Sequence, residues 1–265
     1  MLAHVFGPWT QWPEQDLVAF TTNFDEDLAV AAYCSGLFPM PLPESGFDEM
    51  GWWSPVERGI LPLQQLRITR SLRKNLRRQV TTVDACFEQV LARCSDPSRP
   101  DGWIDDDIRE VYTGLHRRGL AHSVETWDDE GRLVGGLYGV CLGGLFAGES
   151  MFHDLEHGRD ASKTALVRLV SCLLDDGAER LLDVQWRTDH LASLGVVEVD
   201  RVSYLSRLDS ALELPPPDWG DASNHDPLTG DALLSLHAER LAAARALAVE
   251  QEAEELDVIE EESRA

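Results

Sequence analysis

The chain has 265 residues, 43% of them hydrophobic and 26% charged, with 47 Asp and Glu against 23 Lys and Arg and a formal net charge of −24. That length can bury the core of one large domain or two small ones. No apolar run approaches the ~20 residues of a membrane span, and the charge repels nucleic acid and anionic membranes unless cations are gathered in one place.

The N-terminal stretch MLAHVFGPWTQWPEQD has no basic segment followed by an apolar one, so no secretory signal is expected. Asp25 to Cys34 (DEDLAVAAYC) is expected to be helical, with acids at its start, Leu28, Ala31 and Ala32 on one face, and Gly36 as its stop. The segment LFPMPLPESGFDEMGWWSP carries Pro39, Pro41, Pro43 and Pro55 and is expected to lack regular structure. Gly59 to Leu66 alternates weakly, as a strand would.

A second stretch has the clearest order. Val83, Cys86, Phe87, Val90 and Leu91 predict a helix that starts at Thr81 or Thr82, and Ile104, Ile108, Val111, Tyr112 and Leu115 predict another that ends at Gly119. His122 to Trp127, Leu133 to Leu142 and Leu145 to Phe152 read as three antiparallel strands joined by DDEG and by Gly143-Gly144. A helix capped by Asp160 or Ser162 follows, with Leu166, Leu169, Val170 and Leu173 inward. Then come a strand over Leu181 to Trp186, a short helical turn before Gly195, and a last strand pair. This α+β order resembles a GNAT-like (acyl-CoA N-acyltransferase-like) layer with a mixed, largely antiparallel sheet and flanking helices.

The expected division is a small N-terminal domain at 1–80 with a basic helix at 67–78, a GNAT-like catalytic domain at 81–208, and an acidic extension at 209–265. In that extension a helix is expected over 231–249, with a disordered end. After residue 208 there are 15 acids and three Arg, and residues 250–262 hold eight of those acids. Much of the net charge therefore belongs to the extension. The five cysteines (34, 86, 94, 141, 172) are odd in number and form no C-x-x-C pair, which reads as reduced thiols in a cytoplasmic protein.

Against this background RITRSLRKNLRR stands out. Arg67, Arg70, Arg73, Lys74, Arg77 and Arg78 occupy it without a single acid, and on a helix the spacing of three and four aligns five of them. A solvated surface is the plain reading; a polyanion such as nucleic acid is the sharper one, favoured by the acidity elsewhere. Neither a P-loop nor a G-x-G-x-x-G is present, and His153-x-x-x-His157 lacks the Glu of a zincin, so no metal and no cofactor is expected. No cysteine has a partner histidine at sensible spacing for thiol chemistry.

Two strands carry residues of chemical type. Glu149 is a lone acid among the apolar residues of GESMF, costly unless paired or held for function. Asp183 and Gln185 face one side of the LLDVQ strand while Leu182 and Val184 face the other. Either a satisfied polar network or a cleft that orients a nucleophile fits these positions. Trp52, Trp53 and Trp103 read as core, or as stacking platforms if exposed.

The blocks WWSPVERGILPL, GWI…EVY, AHSVE, LVGGLYGV, LFAGESMF, ASKTAL, LLDVQ and DHLASLG, in this order, resemble the leucyl/phenylalanyl-tRNA–protein transferase family. The resemblance implies a cytoplasmic, monomeric enzyme that moves Leu or Phe, or Met, from aminoacyl-tRNA to the α-amine of a protein or peptide beginning with Lys or Arg, creating an N-degron for proteolysis without a cofactor or metal. It implies catalytic roles for Asp183, Gln185 and Glu149: Gln185 contacts the incoming amine, Asp183 polarises it, and Glu149 binds an amino group nearby. Trp103 and Tyr112 match positions that hold the terminal adenosine and aminoacyl end, Trp53 is a further substrate-binding candidate, and Phe146, Met151, Leu166, Leu169 and Leu173 match the side-chain pocket. The basic stripe matches the surface that grips the acceptor stem.

The chain departs from that pattern at Met40, Leu169 and Leu173, where the family has aromatics, and at Thr188, where it has Asn. Such changes imply an altered pocket, and a methylene-scale change is worth about 1–3 kcal/mol in selectivity. Two other readings compete. An acyl-CoA-dependent GNAT enzyme needs a pyrophosphate loop that HGRDASKTAL does not supply, and a non-catalytic tRNA-binding module would ignore whether tRNA is charged.

Overall fold

Two sheets organise the chain. The computed structural model describes residues 5–42, 49–96, 104–220 and 227–264, with side chains described to residue 250. β1 (Leu17–Thr21) is followed by α1 (Glu26–Cys34), whose N-cap Asp25 accepts from the Leu28 amide at 2.9 Å. β2 (Phe38–Pro41) and β3 (Met50–Trp53) pair antiparallel, and β1 flanks β3 to give the order β1-β3-β2.

This hairpin corrects the expectation that the proline-rich segment lacks regular structure. β2 is an edge strand with proline at alternate positions, so the missing N–H groups of Pro39 and Pro41 face away from β3. The Leu42 amide, on the paired side, still donates to the Glu49 carbonyl at 3.0 Å.

The chain continues through β4 (Glu57–Ile60), α2 (Arg70–Leu76), β5 (Val80–Val83), α3 (Phe87–Cys94), α4 (Asp106–Arg117), β6 (Ala121–Trp127), β7 (Leu133–Leu142) and β8 (Leu145–His153). It then forms α5 (Ala161–Leu173), β9 (Leu181–Asp183), α6 (Asp189–Leu194), β10 (Val197–Asp200), α7 (Arg201–Leu212), β11 (Leu228–Thr229) and α8 (Gly230–Arg264). The eight-stranded sheet has the order β10-β4-β9-β8-β7-β6-β5-β11; every neighbouring pair is antiparallel except β8 and β9. The architecture is mixed α+β, and β4 joins the larger sheet between β10 and β9.

Several boundaries differ from the sequence expectation. Thr81 and Thr82 lie in β5 rather than capping α3, because Thr82 Oγ1 donates to the buried Glu125 carboxylate at 2.6 Å instead of closing a helix turn. The basic helix spans Arg70–Leu76, short of 67–78, since Thr69 caps its start and buried Gln79 leads into β5. α7 is an added helix with Tyr204, Leu205, Leu208 and Ala211 inward. α8 continues past residue 249 through a run rich in Glu, a strong helix former.

The sheet separates two apolar clusters. On one face lie α3, α4 and α7 with α1, anchored by Phe87, Ile108, Tyr112, Tyr204 and Leu208. On the other lies α5, with Ala165, Leu166, Leu169 and Val170 against Leu137, Phe146 and Leu182. A third, smaller cluster joins Leu72 and Leu76 of α2 to Leu233 and Leu234 of α8. Among the described residues no helix is long and apolar enough to cross a membrane.

Candidate active site

β8 and β9 pair only from Leu145 to Ala147 against Leu181 to Asp183. Beyond that point β8 stays with β7, while the chain after Asp183 bends to β4: Val184 N donates to Gly59 O at 3.0 Å and Gly59 N donates to Gln185 O at 2.9 Å. The two strands therefore splay, and a cavity of about 270 Å³ opens between them. Leu61, Leu137, Met151, Leu166, Leu169 and Leu191 give it apolar walls, and Glu149, Gln185, Ser150 and Thr188 are among its polar side chains.

Glu149 reaches this cavity through a β-bulge. Tyr138 faces Ser150 and the next residue, Gly139, faces Gly148, which leaves Glu149 as the extra residue of β8. Its Oε2 accepts from the Tyr112 hydroxyl at 2.9 Å, and that hydroxyl lies 2.6 Å from the Tyr33 hydroxyl. Oε1 is shielded from solvent and has no hydrogen-bond partner. Burial pushes the Glu149 carboxyl up to about 7; the Tyr33 and Tyr112 hydroxyls and Arg58 work against the rise, while the Asp183 charge adds to it.

Gln185 follows β9 in a left-handed conformation, φ 60°, which a non-glycine residue holds at a cost of about 1–2 kcal/mol. This bend, rather than continued strand pairing to Trp186, brings Gln185 to the wall of the cavity. Gln185 Nε2 is buried and lacks a hydrogen-bond partner, whereas its backbone N–H donates to Asp183 Oδ1 at 2.9 Å. Gly59 is required where the bend meets β4: a Cβ there would stand 2.9 Å from Trp186 C and Arg187 N.

Asp183 lies behind that turn and is fully buried. Arg58 Nε donates to Oδ1 at 2.9 Å and Nη2 to Oδ2 at 2.6 Å, and the Tyr204 hydroxyl donates to Oδ2 at 3.0 Å. Burial disfavours the Arg58 charge, but the Asp183 carboxylate outweighs it and raises the guanidinium pKa. The Arg58 guanidinium also packs on the rings of Phe38 and Tyr204.

The structure thus brings Glu149, Gln185, Met151, Leu166 and Leu169 to one cavity, with Tyr112 and Asp183 one hydrogen bond behind it. Phe146 and Leu173, expected in the pocket, do not line it. Phe146 sits in the paired stretch of β8, packed near Trp219, and Leu173 is fully buried at the last turn of α5. Trp53 is half-buried beside Trp186, a cavity residue, with ring centroids 5.9 Å apart. Trp103 lies outside the described residues. Arg58, Tyr33 and Tyr204 were not singled out from the sequence, although a lone acid on a core strand demands a donor.

All six cations of the basic segment are exposed. Arg67 precedes α2 and Arg78 follows it, and Arg77 pairs with Asp231 at 3.0 Å. The segment reaches the cavity walls from two sides. Arg67 N donates to Leu194 O at the end of α6, which supplies Leu191, and Asn75 Nδ2 donates to Asp160 Oδ2 at the start of α5, which supplies Leu166. A second, open cleft of about 760 Å³ between α1, β3 and α4 is lined by Asp25, Glu26, Glu49, Asp105, Asp107 and Glu110. The thiols of Cys86 and Cys141 are pushed up to about 12 by burial, which removes them as nucleophiles at neutral pH.

Two family models match the chain: leucyl/phenylalanyl-tRNA protein transferase over residues 60–209, and the N-terminal domain of the same proteins over residues 23–56. A leucyl/phenylalanyl-tRNA–protein transferase of Rhizorhabdus wittichii is 50% identical over 192 residues, 71% of this chain and 75% of its own length. One of Afipia carboxidovorans is 48% identical over 194 residues (71% and 82%), and one of Nitrobacter winogradskyi is 44% identical over 225 residues (83% and 96%).

Proposed function

The chain belongs to the leucyl/phenylalanyl-tRNA–protein transferase family, and from that premise we propose how its cavity performs aminoacyl transfer from tRNA to protein. The donor is Leu or Phe, or Met, esterified to tRNA, and the acceptor is the α-amine of a protein that begins with Lys or Arg. The observation that carries this reading is the splay of β8 and β9, where an apolar cavity ends at two unpartnered polar atoms, Glu149 Oε1 and Gln185 Nε2.

The reaction is aminolysis of an activated ester. The ester already stores the required free energy, so the protein's task is to hold an apolar side chain, orient a neutral amine and manage its protons. Met151, Leu166 and Leu169 hold the side chain. Gln185 presents its amide to the reacting groups, and Asp183 fixes the turn on which Gln185 stands. Arg67, Arg70, Arg73, Lys74 and Arg78 attach the acceptor stem through phosphates, a contact that is salt-dependent and indifferent to sequence. The acidic cleft between α1 and α4 favours an acceptor with a cationic first residue over an acidic one. We infer a GNAT-like layer from three consecutive antiparallel strands, a helix and a parallel strand, β6 to β9 with α5. The same reading places the protein in the cytoplasm as a monomer.

The test is incubation with labelled Leu-, Phe- and Met-tRNA and peptides that begin with Lys, Arg, Ala or Asp. Label is expected in the Lys and Arg peptides only. Acetyl transfer from acetyl-CoA without tRNA, or binding of charged and uncharged tRNA with no transfer, would overturn the reading.

A further inference from the structure

We propose that Glu149 is the general base of the transfer and that Asp183 is a positioning residue without a proton-transfer role, an inference that rests on the transferase reading above. The Asp183 carboxylate accepts from Arg58 Nε and Gln185 N at Oδ1, and from Arg58 Nη2 and the Tyr204 hydroxyl at Oδ2. Those donors occupy both oxygens, and the side chain does not line the cavity. Asp183 acts through the Gln185 backbone amide and the buried Arg58.

Glu149 has the opposite arrangement. It is the bulged residue of β8, it lines the cavity, and one of its oxygens is unused. The groups that face it are Tyr112 from α4, Tyr33 from α1, Asp183 from β9 and Arg58 from β4. Their balance with burial sets the carboxyl at about 7, close to neutral pH and therefore suited to both accepting and returning a proton.

The acceptor ammonium loses one proton to solvent, and the neutral nitrogen attacks the ester carbonyl carbon. A C–N bond forms while the carbonyl π pair moves to oxygen, leaving a positively charged nitrogen. Glu149 Oε1 takes one proton from that nitrogen. When the tetrahedral carbon collapses, the C–O bond to the ribose breaks and the departing oxygen takes the proton back from Glu149. Each turnover yields one amide, one ribose hydroxyl and one proton in solvent, with nothing oxidised or reduced.

The test measures the single-turnover rate of the full-length protein against pH, with both substrates saturating: Leu- or Phe-tRNA, whichever the wild type uses, and an Arg-initiated peptide. Two deprotonations shape the wild-type acid limb, that of the acceptor amine, with a reference value of about 7.7–8.0, and that of Glu149 near 7, so the rate is expected to fall tenfold per pH unit between them and up to a hundredfold per unit below 7. Glu149→Gln is expected to lower the plateau by at least ~100-fold, to lose the lower of the two steps and keep only the amine's tenfold-per-unit limb, and to leave tRNA affinity within about threefold. Tyr112→Phe removes a hydrogen bond that favours the ionised carboxylate, so its midpoint is expected to move upward, a shift that a purely structural role would not produce. A Glu149→Gln profile that keeps the hundredfold-per-unit fall below pH 7 overturns the proposal, as does retention of more than a tenth of the rate or an unmoved lower midpoint in Tyr112→Phe. Absence of any transfer by the wild type sinks the transferase reading itself and is thereby distinguishable.

Discussion

A carboxyl held near 7 inside a protein lowers stability wherever it must ionise. The ordinary value for Glu149 is 4.5 and the folded value about 7. Between them the folded protein keeps a proton that the unfolded chain has released, so stability falls as pH rises through that window, and above 7 the full deficit, at most about 3 kcal/mol, is present. Glu149→Gln removes the ionisable group while keeping its shape. Its Tm is expected to match the wild type near pH 4 and to exceed it at pH 8. A variant less stable than wild type at pH 8 would show instead that the carboxylate is a structural partner. Asp183 makes the contrast: with Asp183→Asn the fully buried Arg58 loses its counter-charge, a change of the kind that costs about 3–5 kcal/mol. Two acids only 34 positions apart in sequence thus answer to different physics, one held at a cost and one holding the fold.

At the scale of elements, α2 shows how a weak helix is made useful. It has seven residues, too few to be stable alone, and Arg70, Arg73 and Lys74 have no ion-pair partner among the described residues. Leu72 and Leu76, locked against Leu233 and Leu234, supply the stability that its charges oppose. Because Arg77 is engaged by Asp231, Arg70 and Arg73 are the better probes. Arg70→Glu with Arg73→Glu is expected to weaken tRNA binding and to make the slope of log K against log salt shallower by about 2, with Tm unchanged; an unaltered slope removes the stripe from the donor site. The stripe was legible because clustering of like charge is a local property of sequence. So were β6, β7 and β8, where alternation is bounded by turn residues, and α6, which ends at Gly195 with φ 113°. The hairpin of β2 and β3 was not, since proline in an edge strand reads like proline in a loop. The site was half legible. Glu149, Gln185 and Asp183 sit in short motifs, but the Arg58 partner of Asp183 is 125 residues away and the bulge that aims Glu149 is a matter of register with β7.

For the molecule as a whole, the decisive property is where its negative charge lies. The net charge of −24 would repel tRNA, yet the family models end at residue 209 and 15 of the 47 acids come after residue 208. Among the described residues, the contacts that dock α8 include Leu233 and Leu234 on α2, His237 Nδ1 3.1 Å from Ser171 Oγ, Arg240 on the Ser171 carbonyl and Ala244 in the α5 cluster. Residues 251–265 add seven acids and Arg264. At 0.15 M salt the field of such a segment decays over about 8 Å, and at 0.01 M over about 30 Å, so its effect on tRNA belongs to association at low salt. Truncation after Glu250 is expected to leave Tm unchanged and to raise the association rate for tRNA several-fold at 0.01 M salt, with the two proteins converging by about 0.5 M. Truncation before Gly230 exposes Leu72, Leu76 and Val167 and is expected to lower Tm, loosening α2 and weakening tRNA binding at every salt concentration. Stopped-flow association and thermal melts of the two truncations separate the roles: if the shorter deletion melts early, the end of α8 is part of the fold, and if it leaves the low-salt rate unchanged, the charge beyond residue 250 does not reach the donor site.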